Sequence, residues 1–162
     1  MSRVIQDFTT TVPFWQPRVT PIDLDDASKE QREALQVTPS NQKVSEYVLV
    51  LARDAETLKE RTPLFNAIMY NRGGMSRAER ELSATGASVV NHCVYCAAVH
   101  ASRYNQLTKD VTVMERVFAD GATAKLDVRQ SAILKFAMKL SRTPPEVTAD
   151  DIQRLRDAGL ES

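Results

Sequence analysis

The chain has 162 residues, 43% of them hydrophobic, which suffices for one domain with a real core at a length where about 100 to 200 residues is usual. Lysine plus arginine and aspartate plus glutamate both number 21, so no net field draws it to nucleic acid or to an anionic membrane. No apolar run approaches the roughly 18 residues of a membrane span, and charge breaks the first seven residues before a signal-peptide core could form, so the expected compartment is the cytoplasm.

Residues 1–24 carry Pro13, Pro17 and Pro21 with Phe8, Phe14 and Trp15, which predicts an extended arm strapped to its own domain or to a neighbour. Residues 25–162 are the expected helical domain. Asp25 and Asp26 can cap a short helix running to about Gln36, and Thr38-Pro39-Ser40-Asn41 reads as a turn and a new helix start. From Lys43 onward Val44, Tyr47, Val48 and Leu51 recur at helical spacing, and Leu58, Thr62, Phe65 and Met69 continue such a face. Pro63 predicts a kink or break there, because it removes an amide donor and clashes with the preceding turn.

Gly73-Gly74 stops that helix, and Ser76 with Glu79 is a capping-box pattern that starts the next. For its charged run, Arg77, Glu79, Arg80 and Glu81, a solvated face is the general expectation. Ser88 to His92 are weak helix formers, and Asn91 can cap a following helix whose first turn carries Cys93. Lys109 and Asp110 mark a boundary before a short helix, Val111 to Ala119, closed by Gly121. Ile133, Phe136, Ala137 and Leu140 outline an amphipathic helix that stops before Pro144-Pro145, and Thr148 with Asp151 caps a last one, Asp150 to Ala158, before Gly159. No stretch alternates in the manner of a strand, so the predicted class is all-α.

Both cysteines and both histidines fall between His92 and His100. Cys93 and Cys96 are spaced i, i+3 and His100 lies four residues further, so on a helix the three side chains share one face. A close thiol pair in a reducing compartment is more often metal-binding or redox-active than structural. Three readings stay open on residue types alone. Cys93 and Cys96 can be small hydrophobes beside a satisfied histidine; with His100 and either His92 or Glu81 they can hold zinc; or they can form a redox site. In the redox case a helix N-terminus and an imidazole favour the thiolate, a peroxide oxidises it to a sulfenic acid, and the second thiol closes a disulfide.

The pattern Glu81, then Cys93-Val94-Tyr95-Cys96, then His100, preceded by Met75-Ser76-Arg77-Ala78-Glu79-Arg80, resembles the alkylhydroperoxidase AhpD family within the carboxymuconolactone decarboxylase superfamily, and more narrowly its uncharacterised peroxidase-related branch. The resemblance covers about residues 40 to 160. It implies an AhpD-like all-helical domain assembled as a trimer or hexamer. Cys96 would be the peroxidatic thiol, Cys93 the resolving thiol, and Glu81 with His100 a proton relay. Tyr95 stands where a histidine precedes the second cysteine in the peroxidase; its phenol donates a hydrogen bond but is a poor base at neutral pH. The implied substrate is a hydroperoxide, with no resident cofactor and an external dithiol or lipoyl-type protein as reductant. Two other functions fit the residues: a non-catalytic helical oligomerisation or zinc-binding module, and a decarboxylase-like enzyme acting through Glu81 and His100.

Glu81 precedes Cys93 by twelve positions, about 18 Å along one unbroken helix, so they can meet only if the chain turns back between them. The expected solution is a helix from Ser76 to about Val90 and another from Cys93 to about Asn105, joined by a tight reversal. Glu81 then faces Cys93 and His100.

Overall fold

Side-chain caps at Ser28, Asp54, Ser76, Asp127 and Thr148 each start a helix of this chain. The structure is a computed structural model that describes residues 6–14, 16–36 and 44–160. Among the described residues there are eight α-helices, one short 3₁₀ turn and no strand, which is the all-α class. The predicted turn at Thr38-Pro39-Ser40-Asn41 lies outside them, as does Trp15. By packing the chain comprises two units, Trp15–Arg72 and Gly73–Ser162 with Met1–Phe14.

In the unit Trp15–Arg72, α1 (Lys29–Ala34) and α2 (Glu46–Leu51) pack on α3 (Ala55–Tyr70) around Ala34, Ala52 and Leu58. Asp25 and Asp26 do not cap α1. Ser28 does, in a reciprocal capping box with Gln31, because its hydroxyl is one residue from the helix whereas the aspartates are further upstream. The extended stretch before it is held by backbone contacts, Ile22 N–H to Leu49 O at 3.3 Å and the Arg53 guanidinium to Thr20 O at 3.1 Å. Pro63 does not break α3, which runs through it. Only one intrahelical donor is lost, and buried Leu58, Thr62 and Met69 pin the helix on both sides of it. Thr62, buried one residue before the proline, satisfies its hydroxyl on Leu58 O at 2.9 Å.

The other unit is built on α4 (Arg77–Val90), which packs against α5 (Val94–Thr108) and α7 (Val128–Leu140). Helix α6 (Thr112–Asp120) and a 3₁₀ turn (Gly121–Thr123) join α5 to α7, and α8 (Ala149–Asp157) closes on α7. The core gathers Leu82, Tyr104, Met114, Val117, Ile133 and Leu134. A Cβ on Gly86 would stand 3.0 Å from Leu134 Cδ1 and 3.4 Å from Leu134 O, so at this mid-helix glycine α4 and α7 pack closely. The buried stripe of α7 is Ile133, Leu134, Ala137 and Met138, rotated from the predicted one; Leu140 is 53% exposed. Of the arm aromatics, Phe8 stacks on Phe118 of α6 at 5.6 Å and Phe14 is exposed.

Helix α8 has the predicted Thr148 and Asp151 capping box and begins at Ala149, one residue before the expected Asp150. The same Asp151 receives Lys139 Nζ at 2.8 Å and so ties α8 to α7. Arg129 of α7 bonds Glu79 of α4 and the carbonyls of Ala158 and Gly159, at 3.0 and 2.8 Å, beyond the end of α8.

Candidate functional site

Ser76 starts α4, with its amide donating to Glu79 Oε2 at 2.6 Å and its hydroxyl accepting from the Glu79 amide. That cap puts Arg77 on the first turn and Glu81 one turn on, on the same face. Glu81 is 1% exposed, so the solvated-face expectation fails for it. The rest of the run is also engaged: Arg80 donates to Gly73 O at 2.6 Å and Met75 O at 2.9 Å, and Glu79 pairs with Arg129.

The reversal after α4 is tight. His92 adopts φ 51°, a left-handed conformation uncommon for a residue with a side chain, and the Cys93 amide donates back to Ser88 O at 3.0 Å. Asn91 is the C-cap of α4 and does not cap the next helix; Cys93 is the N-cap of α5, its sulfur accepting the Cys96 amide at 3.3 Å. Since the turn consumes Asn91 and His92, the cap falls two residues later than predicted. Cys93 and Cys96 are joined as a disulfide with Cα atoms 5.3 Å apart. Both sulfurs thus lie at the N-terminus of α5, whose unpaired amides favour a thiolate once the bond is reduced.

From α5, His100 Nδ1 reaches Glu81 Oε2 at 2.6 Å. Arg77 holds the other carboxylate oxygen, Oε1, through Nε at 2.9 Å and through a terminal nitrogen. Burial alone would push the Glu81 carboxyl up; the hydrogen bonds from His100 and Arg77, with the charges they carry, outweigh it and hold it below the usual carboxylate range. His100 lies one helical turn beyond Cys96 on the same face of α5, so the imidazole that meets Glu81 and the Cys96 sulfur are on one side of the helix. Tyr95 is half-buried in the first turn of α5.

Not every candidate residue joins the cluster. His92 is exposed and serves the reversal. Among the described residues no group of three histidine, cysteine or acidic side chains is disposed to hold a metal ion, and the two sulfurs proposed as zinc ligands are bonded to each other. Arg77, counted in the sequence as an ordinary surface charge, belongs to the site; its i, i+4 spacing to Glu81 was the available signal.

The sequence model of the carboxymuconolactone decarboxylase family matches residues 55–138, more than half of the chain. The chain belongs to the carboxymuconolactone decarboxylase family. The matched segment contains all of α4 and α5 and therefore the whole cluster. A solved structure from Ralstonia eutropha, described as an alkylhydroperoxidase AhpD core and an uncharacterised peroxidase-related protein, is 27% identical with a TM-score of 0.77, over 91% of this chain and 79% of that one. A second, an uncharacterised peroxidase-related protein from a Silicibacter species, is 28% identical with a TM-score of 0.72, over 90% of this chain and 78% of that one. No curated protein matches the chain. Within the carboxymuconolactone decarboxylase family this chain is AhpD-like, with its CxxC at the start of a helix.

Proposed function

We propose that the protein is a thiol-dependent hydroperoxidase that cycles Cys93 and Cys96 between dithiol and disulfide. The observation that carries this reading is the disulfide at the α5 N-terminus one turn from an imidazole bonded to a buried carboxylate; likeness to two peroxidase-related proteins supports it. The Cys96 thiolate attacks one oxygen of ROOH and the O–O bond breaks. The departing alkoxide takes a proton through His100, backed by Glu81, and leaves as ROH. Cys96 is now a sulfenic acid. The Cys93 thiol displaces its hydroxyl as water, forming the disulfide. An external dithiol attacks that disulfide, returns both thiols and leaves oxidised. In sum one hydroperoxide and one dithiol become one alcohol, one water and one disulfide.

Turnover of an organic hydroperoxide with a lipoyl-type dithiol tests the reading: alcohol should appear in step with dithiol loss, and Cys96→Ser should abolish it. A decarboxylase-like reaction through Glu81 and His100, the alternative favoured by the family match, predicts instead an activity that survives loss of both thiols. Assembly as a homo-oligomer in the cytoplasm belongs to the same proposal; a light-scattering mass equal to the 18.1 kDa of one chain would count against the assembly.

A further inference from the structure

We propose that Arg77 is a positioning residue: by holding Oε1 of the buried Glu81 as a carboxylate it leaves Oε2 able only to accept, and so fixes the proton of neutral His100 on Nδ1. The two oxygens of this carboxylate have separate partners. Arg77 takes Oε1 through two nitrogens, one of them Nε at 2.9 Å, and His100 Nδ1 lies 2.6 Å from Oε2. The Arg77 and Glu81 side chains are 21% and 2% exposed, so solvent screens this pair far less than a surface ion pair.

The chemistry follows from what a carboxyl group can do in its two states. Ionised, it accepts only; protonated, it also donates. A guanidinium stays charged throughout the accessible pH range and favours the ionised form beside it. With Glu81 ionised, Nδ1 must carry the hydrogen, and Nε2 keeps the lone pair that can take a proton. Without Arg77, burial pushes the carboxyl toward its neutral form, Oε2–H can donate to Nδ1, and the ring hydrogen moves to Nε2. That imidazole can no longer accept a proton at the nitrogen remote from Glu81.

Among the described residues of the helices packed against α4, no other cation holds this carboxylate. Of the charged groups on the helices packed against α4, Arg129 of α7 is bonded to Glu79, Lys139 to Asp151, and Lys135 is exposed. On α5, Arg103 donates to Gln106 and the Tyr104 hydroxyl accepts from Gln130, both at about 3 Å, while Tyr95 is half-buried. On α4 itself Arg80 is bonded to the Gly73 and Met75 carbonyls.

The tautomer is read directly from long-range ¹H–¹⁵N spectra of the reduced, ¹⁵N-labelled protein at mildly alkaline pH, with His92→Gln separating the two histidines. Wild type should show His100 protonated on Nδ1, Arg77→Met should convert it mainly to the Nε2 tautomer, and Arg77→Lys should restore Nδ1. Arg77→Gln replaces Arg77→Met in the series if the latter does not fold. An unchanged tautomer in the neutral variant, or Nε2 protonation in wild type, overturns the proposal. The rate consequence rests on the thiol-peroxidase reading: kcat should fall on the order of 10²-fold in Arg77→Met, with KM little changed, and recover in Arg77→Lys. If wild type consumes no hydroperoxide but the tautomer shifts as stated, the peroxidase reading fails and the role of Arg77 stands.

Discussion

Glu81 carries the largest physical tension at the residue scale, a carboxylate with 1% exposure held ionised by the Arg77 guanidinium and a hydrogen bond with His100. Removing a partner from a buried ion pair typically costs about 3–5 kcal/mol, because the remaining charge is stranded. Glu81→Gln keeps the shape but loses the charge, so helix content should be unchanged while oxidation of the thiols by hydroperoxide slows on the order of 10²-fold or more, as stopped-flow thiol loss will show. Wild-type rates in that variant would return Glu81 to a structural role. Cys93→Ser should permit one turnover that ends in a trapped sulfenic acid on Cys96, detectable with a dimedone-type probe. The thiol pair and its spacing to His100 were legible in the sequence because they are local. Arg77 was not, since a charged residue at a helix start is usually solvated, and only the burial of Glu81 by neighbouring helices singles it out.

Among elements, α4 is the one the site depends on: it supplies Arg77 and Glu81 and lies between α5 and α7. Gly86 sets its approach to α7. A valine there adds a Cβ that meets Leu134 Cδ1 at 3.0 Å and further methyls beyond it, so Gly86→Val should destabilise by about 1–3 kcal/mol in urea unfolding despite the better intrinsic helix propensity of valine. No loss of stability would mean that α4 and α7 are not in close contact at this point. The starts of α4 and α8 were readable because capping boxes are short-range chemistry. Pro63 and the stripe of α7 were misread for a common reason: tertiary packing overrides local rules. Buried residues on either side carry α3 through the proline, and the choice of Leu134 and Met138 over Phe136 and Leu140 is made by α4, which no window within α7 can see.

The whole molecule responds to acid through carboxylates whose partners hold them ionised, Asp151 at the start of α8 first among them. Hydrogen bonds from Lys139 and from Thr148 pull the Asp151 carboxyl down to about 2, from an ordinary value near 3.8. A carboxyl depressed on folding stabilises the native state above its unfolded value, and that stabilisation is lost as pH falls through the folded one. Stability should therefore drop between about pH 4 and about pH 2, and Asp151→Asn, less stable at neutral pH, should flatten that part of the curve; an equally steep fall in the variant would assign it to other carboxylates. Glu81 acts in the same sense below its ordinary range. The central claim, that Cys93 and Cys96 are a redox couple driven by hydroperoxide, is tested most directly by counting free thiols in the fully reduced protein before and after one equivalent of an organic hydroperoxide. The account predicts a fall from two thiols per chain to none, with one equivalent of alcohol released and both thiols recovered on adding a dithiol. Two thiols remaining with the hydroperoxide unconsumed would contradict it.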